Sequence, residues 1–558
     1  MKKDGEAPKA REVHVDQLRA IVARTKDLGL PDEDHAMLAS ALDTLGFLTT
    51  AIESKDASLT KLRRYLFGPA TESSDKILDG REGSNPGARN PSPTPKGKPK
   101  GHGRSPAAGY TGAELCPIKH ATLKAKQACP ACNRGKLYPL DSPQSLVRVT
   151  GMAPLSAKVY ELEKLRCNAC GVIFTATAPE QVGDEKYDEG ASAMIALLKY
   201  GAGMPFNRIQ NLQRGLGIPL PAATQWELVA ERSEQLLPAY QELVRHAAQG
   251  KVIHSDDTTM KILDLVGERR RKAIEAGDID PSQRVGLFTS GIVSLAEVDG
   301  GEGASEEPRA IEIALFFTGN RHAGENLEKV LLKRSGELDP PIHMCDALAS
   351  NTAGDFEALL ARCVAHGRRT FVEIFDNFPE ECRRVIEDLR EVYRVDGDAK
   401  ERGLSNGERL ALHQEKSAPL MTALHDWMKS QSEERKVEPN SSLGKAYAYM
   451  LKHWEGLTLF LREPGAPLDN NTCERALKKA VLNRKNAYFY RSKRGAEVGD
   501  LYMSLIHTAE RCATSPFEYM KALMKNAAAV RAAPSAWMPW NYMATVAAAE
   551  QVAGSRRG

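Results

Sequence analysis

The 558-residue sequence has no apolar run approaching the roughly 20 residues of a membrane-spanning helix, and Met1 to Val13 are charged without an apolar centre. A membrane-embedded or exported protein is therefore not expected, and the reading is a cytoplasmic one. A large excess of either charge is also missing. The 76 Lys and Arg stand against 73 Asp and Glu, a net charge of +3, so any nucleic-acid surface must come from uneven placement of the cations. Cysteine is sparse. Ten cysteines in an intracellular chain point to thiols or metal ligands rather than disulfides. The length exceeds what one core holds, and a prior of about 150 residues per domain gives three or four units.

What is present falls into distinct stretches. Leu38, Leu45, Ile52, Leu59 and Leu66 recur every seven residues, which predicts a helix over 32–67 able to pair with another helix, or to fold back on its own domain. From Asp79 to Gly112 the composition turns to Gly, Pro, Ser and Lys. This is a basic linker, suited to lying along phosphates or simply to staying soluble. Cys129-Pro130-Ala131-Cys132 and Cys167-Asn168-Ala169-Cys170 then form two Cys-x-x-Cys pairs, joined through a hairpin expected between Val147 and Leu165. Four thiolates on two tight turns predict a closed structural zinc (Zn2+) site, with thiol redox as the competing use. Between Tyr187 and Gln249, helices are separated by short Gly/Pro breaks, and the last opens Ala222-Ala223-Thr224-Gln225-Trp226. That is a helix-turn-helix pattern, with Thr224 and Gln225 as the candidate DNA-contacting residues.

The stretch Val252-Ile253-His254-Ser255-Asp256-Asp257-Thr258 reads as a buried strand carrying a carboxylate into a site. Only one of the two adjacent acids can point inward, because neighbouring strand residues face opposite sides. Apolar runs at Arg284 to Leu295 and Ile311 to Thr318 predict two more strands, and His322 to Arg334 a helix. Asp346 ends a fourth strand beginning at Pro341, and Glu474 lies just inside a helix that follows Asp469-Asn470-Asn471. Acids at the ends of the first and fourth strands describe a ribonuclease-H-like fold. Magnesium (Mg2+) or manganese (Mn2+) takes hard oxygen ligands, and two such ions stabilise the attacking and leaving oxygens of a displacement at phosphorus. Asp256 would bridge both ions, with Asp346 and Glu474 each holding one side. The plainer alternatives are an N-cap for Asp346 and a first-turn dipole partner for Glu474. Arg475, Lys478 and Lys479, continued by Arg484 and Lys485, make a basic face suited to phosphate or merely to water. His366 is expected to be structural or to contact DNA, and Cys345, Cys363, Cys382, Cys473 and Cys512 to be small core residues.

Several pieces together resemble one family. They are Leu66-Phe67-Gly68 with Glu72 and Ser73, Gly101-His102-Gly103-Arg104, the paired cysteine knuckles, and His254-Ser255-Asp256-Asp257-Thr258. Further along come Cys363-Val364-Ala365-His366-Gly367-Arg368-Arg369, Asp469-Asn470-Asn471-Thr472-Cys473-Glu474-Arg475-Ala476-Leu477, and Asn483-Arg484-Lys485-Asn486. The sequence resembles the DDE transposases of bacterial insertion sequence family sixty-six over nearly its whole length, most specifically from Lys445 to Met520. The resemblance implies binding of double-stranded DNA at terminal inverted repeats, hydrolysis at the element ends and strand transfer into a target. It also implies Asp256, Asp346 and Glu474 as the catalytic triad. Asp257 stands where the family has Glu, Ala347-Leu348-Ala349 replaces a Gly-Tyr turn, Thr472-Cys473 replaces Pro-Ala, and Val364 replaces Trp. None of these departures removes a triad acid.

The expected fold class is multidomain α+β. The division is a coiled-coil region at 1–78, the linker at 79–112, a zinc-ribbon-like module at 113–180 and a helical DNA-binding domain at 181–250. A ribonuclease-H-like domain then spans 251–530, with a helical insertion at about 355–440, and a tail occupies 531–558. The expected partners are DNA, further copies of the chain and small accessory proteins from the same element, with nucleoid association when DNA-bound. A catalytically silent DNA-binding protein and a structure-specific nuclease without strand transfer are the other readings.

Overall fold

A computed structural model describes residues 185–298, 309–352, 354 and 356–555, with short pieces inside 21–38 and 122–179. The expected coiled-coil seam and the basic linker lie almost wholly outside the described residues. Contacts divide the chain into two units, Gly83–Pro154 and the remainder. In the smaller unit the described backbone folds into a narrow turn in which Ala128 pairs with Lys136.

The larger unit is mixed α+β, mostly helical, around one mixed sheet. A short antiparallel pair, β1 (Lys164–Arg166) and β2 (Ile173–Thr175), precedes it and brackets the second cysteine pair. The hairpin expected between Val147 and Leu165 begins outside the described residues. Helices α1 (Glu189–Ala196), α2 (Phe206–Gly215) and α3 (Ala222–Ala248) lead into β3 (Val252–Thr259) and α4 (Gly267–Glu275). Then come β4 (Phe288–Val298), β5 (Arg309–Gly319), α5 (Ala323–Leu331), β6 (Ile342–Cys345) and β7 (Leu359–Arg362). The order across the sheet is β5-β4-β3-β6-β7. Its β3–β4 and β4–β5 ladders are antiparallel, and its β3–β6 and β6–β7 ladders are parallel.

Strand β7 corrects one expectation. Leu359-Leu360-Ala361-Arg362 lies within the span expected to be a helical insertion, yet it completes the sheet, and the helices begin only at Val364. They are α6 (Val364–Ile374), α7 (Pro379–Glu401), α8 (Asn406–Glu433) and α9 (Ser442–Lys452). The chain then returns to the sheet as α10 (Asn471–Ala487), α11 (Lys493–Arg511) and α12 (Pro516–Lys525).

Two apolar cores flank the two halves of the sheet. Ile253, Ile292, Leu315 and Phe316 pack with Leu243 of α3, Leu327 of α5, Leu477 of α10 and Tyr502 of α11. Val252, Ile342 and Met344 pack instead with Phe371 of α6, Leu389 of α7, Leu424 of α8 and Tyr447 of α9. Adjacent residues of β3 thus feed different cores, as strand alternation requires. The first core also takes in residues between Ala193 and Ala248, from the stretch 181–250 expected as a domain of its own, and Trp537, Met538 and Tyr542 from the expected tail. The helical half has one buried charge cluster. Asp396 accepts from Arg409 Nε at 2.7 Å and pairs with Lys400 at 2.7 Å, and its Oδ1 lies 3.3 Å from His413 Nε2.

Strand β5 is an edge, and its outward N–H groups need partners. Helix α11 supplies them at one-turn intervals. Ala314 N–H donates to Thr508 Oγ1 (3.1 Å), Phe316 N–H to Ser504 Oγ (3.0 Å) and Thr318 N–H to Asp500 Oδ2 (2.6 Å). Burial pushes the Asp500 carboxyl up to about 7, against the hydrogen bonds from Thr318 that favour its ionised form. A folded value above the unfolded one of about 3.9 means that this group's contribution is complete below about pH 4 and is lost as pH rises to about 7. Asp500→Asn keeps an acceptor for Thr318 and has no charge to bury. Its Tm is expected to gain on the wild type between about pH 4 and 7; a Tm difference independent of pH would refute this account.

Candidate active site

Strand β3 delivers Asp256 and Asp257 to opposite faces. Asp257 accepts from Ser290 Oγ (2.7 Å) and Ala323 N–H (3.0 Å), and lies 2.9 Å from His322 Nδ1, so it serves the N-terminus of α5. Asp256 faces the other way, where its cross-strand neighbour is Gly291. A Cβ at 291 would stand 2.8 Å from Leu477 Cγ and 3.4 Å from Cys473 Sγ. Glycine there lets α10 settle onto the sheet beside Asp256, and the Cys473 thiol donates to the Gly291 carbonyl (3.2 Å).

That contact brings Glu474, in the first turn of α10, to the same place. Asn470 sets the start of the helix. Its Nδ2 donates to Ser255 O (2.9 Å), its Oδ1 lies 3.1 Å from His254 Nδ1, and its N–H points to Cys363 Sγ (3.3 Å). Asn470 is fully buried. The third acid, Asp346, follows β6, which runs parallel beside β3 with Met344 opposite His254. Its Oδ1 accepts from Asn351 Nδ2 (2.8 Å) and Leu348 N–H (3.1 Å), and its carbonyl accepts from Arg362. Arg362 Nη1 also reaches Cys345 Sγ (3.1 Å). Arg362 was not picked out by sequence reasoning, and Asn470 was quoted only within a motif, with no role given to it. A lone arginine at the end of an apolar run was the available signal for the first, and the Asp-Asn-Asn triplet for the second.

The electrostatics agree with the geometry. Burial raises the Asp256 carboxyl to about 7; the Asp257 N–H opposes this, and the charges of Asp346 and Glu474 add to it. Glu474 Oε1 is buried without a hydrogen-bond partner and lies 3.9 Å from His366 Nε2. Cys363, His366 and Glu474 place ligand atoms within 4.8 Å of one another. A desolvated Asp256 with two further carboxylates nearby, and an orphaned oxygen on Glu474, form a donor set that fits a divalent cation.

The expected DNA-contacting residues separate into two groups. Arg475, Lys478 and Lys485 are exposed on α10. Lys479 turns aside to Glu510 (3.3 Å), and Arg484 donates to Thr258 Oγ1 (3.0 Å) and Thr259 Oγ1 (2.7 Å), clamping α10 to β3. Thr224 is half-buried at the start of α3. Gln225 is a correction: it is fully buried and gives its amide to the carbonyls of Phe206 (3.1 Å) and Leu220 (3.0 Å), so it holds the turn between α2 and α3 instead of facing DNA. Of the zinc candidates, Cys129 and Cys132 sit on a turn closed by Cys129 N–H to Gly135 O (2.8 Å). Hydrogen bonds from the Arg134 and Gly135 backbone lower the Cys132 thiol, as a thiolate-binding turn would. Cys167 and Cys170 lie outside the described residues. Cys345, Cys363, Cys382, Cys473 and Cys512 are buried, as expected.

Acids from the middle of β3, from just after β6 and from the first turn of α10, a helix whose exposed face is basic, make up the candidate site. The chain belongs to the Transposase IS66 family, whose model matches residues 185–275 and 303–498. It is similar to two proteins of Sinorhizobium fredii. The first, described as uncharacterized protein y4hP, is 27% identical over 409 residues, covering 70% of this chain and 68% of that protein. The second, uncharacterized protein y4jD, is 26% identical over 427 residues, covering 75% and 78%.

Asn470→Ala would leave Ser255 O and the His254 ring without their buried partner. A loss of about 2–4 kcal/mol is expected in chemical denaturation, from two orphaned groups at roughly 1–2 kcal/mol each. An unchanged midpoint would mean that other contacts hold β3 and α10 together.

Proposed function

We propose that Asp256, Asp346 and Glu474 are the catalytic acids of this transposase and hold two magnesium or manganese ions at the end of a ribonuclease-H-like sheet. The observation that carries the proposal is the convergence of the three carboxylates. Strands β3 and β6 bring two of them side by side, and Gly291 admits the helix that bears the third. The sheet order, with three antiparallel strands followed by two parallel ones, supports the same reading. When bound, the two ions would offset charge on the attacking and leaving oxygens of an in-line displacement at phosphorus.

The chain's own groups do the rest. Arg475, Lys478 and Lys485 bind phosphates along α10, and Arg362 and Asn351 fix the direction of Asp346. Arg484 keeps the helix registered on β3, so the phosphate track and the acids move as one body. The substrate is double-stranded DNA at the element ends, cut and then joined to target DNA by copies of the chain acting together, with accessory proteins of the same element as candidate partners. The cytoplasmic, nucleoid-associated location follows from that substrate. Cys129, Cys132, Cys167 and Cys170 are proposed to hold one structural zinc in a ribbon-like module.

Labelled element-end DNA incubated with a plasmid target and magnesium tests the acids. Wild-type protein is expected to nick at the terminus and join it to the plasmid, while Asp256→Asn, Asp346→Asn and Glu474→Gln fall to the level of DNA alone and still bind. Cleavage that persists in any of the three sinks the assignment of that residue. Metal analysis of purified protein is expected to give one zinc per chain, lost in Cys129→Ser with Cys132→Ser. A zinc-free wild type of normal Tm would remove the module from the proposal.

A further inference from the structure

The outward face of α10 continues beyond the acids. Arg475, Lys478, Leu482 and Lys485 are exposed at spacings of three and four, which is one line along a helix, and Glu474 opens that line. At its far end stand two aromatic rings, Tyr488 at 68% and Phe489 at 42% exposure. Soluble proteins seldom leave adjacent large rings in water without a use.

The backbone under these rings is both strained and fixed. Tyr488 has φ 67° and ψ −36°, and Phe489 N–H closes onto Ala487 O (2.9 Å), the three-residue turn that is rare and disfavoured for bulky side chains. The next residue, Tyr490, is buried and bridged to Ile262 in the extension of β3, through Tyr490 N–H to Lys261 O (2.9 Å) and Leu263 N–H to Tyr490 O (2.9 Å). Its hydroxyl accepts from Asn483 (2.8 Å). The turn is therefore clamped to the helix on one side and to the strand of Asp256 on the other. Strain retained in a clamped turn marks a functional site more often than chance. Lys485, Arg491 and Lys493, within five residues of the rings in sequence, are exposed as well.

We propose that Tyr488 and Phe489 form a stacking step for an unpaired nucleobase of the DNA strand that runs along α10. Tyr488 lies 14 positions after Glu474. At about 1.5 Å per helical residue that is roughly 20 Å, or about six nucleotides at 3.4 Å each. The base must be unpaired, because a duplex interior presents only base edges, and ring faces become available once a base leaves the stack. The cations on the same line select a polyanion over an apolar protein surface. This inference rests on the proposed reading of Glu474 as part of the active site.

The test uses full-length protein and element-end duplexes carrying 5-iodouracil at single positions centred roughly six nucleotides from the terminus, on either side of it. Each duplex is prepared fully paired and with a mismatch at the probe. Tyr488→Gly removes one ring while suiting the positive φ, and Phe489→Ala removes the other. The wild type is expected to photocross-link through Tyr488 or Phe489 within that window and to favour the mismatched duplex. Each ring removal is expected to weaken binding of mismatched DNA roughly 5- to 150-fold with Tm maintained. Cross-links elsewhere, or unchanged affinity in both variants, overturn the proposal. Unchanged DNA affinity together with lost self-association in sedimentation assigns the rings to a protein interface and likewise overturns it. Magnesium-dependent cleavage is scored separately: cleavage without cross-linking at the rings leaves the acid assignment standing and the stacking step refuted. Cross-linking without cleavage does the reverse.

Discussion

The side-chain amide of Asn470 is the constraint on which the centre of this molecule depends. It joins β3 to the start of α10 through Ser255 O and the His254 ring, in a place with no access to water. A buried amide that lost either partner would carry the desolvation cost alone, so the helix start is held at one position on the strand. The Asn470 N–H reaches Cys363, and Leu468 O accepts from Val364 N–H, which ties the helical half of the protein to the same junction. Glu474 inherits its position from that junction. Gly291 and Cys473 then fix how closely the helix lies.

The adjacent acids on β3 show how strand alternation divides labour. Asp257 spends its oxygens on Ser290 and the first turn of α5, and so stabilises the fold. Asp256, one residue away, has the Asp257 N–H on its Oδ1 and is pressed by two further carboxylates. One residue of slippage would exchange these roles, and the long β3–β4 ladder makes that slippage costly.

Much of this was legible in the sequence. Asp256 and Asp346 stand where apolar runs falter, four of the five strands of the sheet were marked by apolar runs, and the isolated cysteines were read as core and are buried. Other features were hidden for physical reasons. Strand β7 is four residues long and adjoins helices, and an apolar run that short has no periodicity to distinguish it. Gln225 and Arg484 look like DNA contacts because a polar side chain has the same letter whether it meets a phosphate or an internal carbonyl. The strain at Tyr488 exists only as a backbone angle. The heptad seam beyond Leu38 and the second cysteine pair lie outside the described residues.

Among the described residues, helices lie against both rims of the sheet. Helix α11 occupies the hydrogen-bonding side of β5, and the short turn of Trp454–Leu457 lies so close against β7 that a Cβ on Gly456 would stand 2.6 Å from the Arg362 side chain. A strand added along these stretches would have to displace the helices first. Copies of the chain that associated would meet more readily through helices and loops. Such contacts come apart again, whereas merged sheets lead towards fibres.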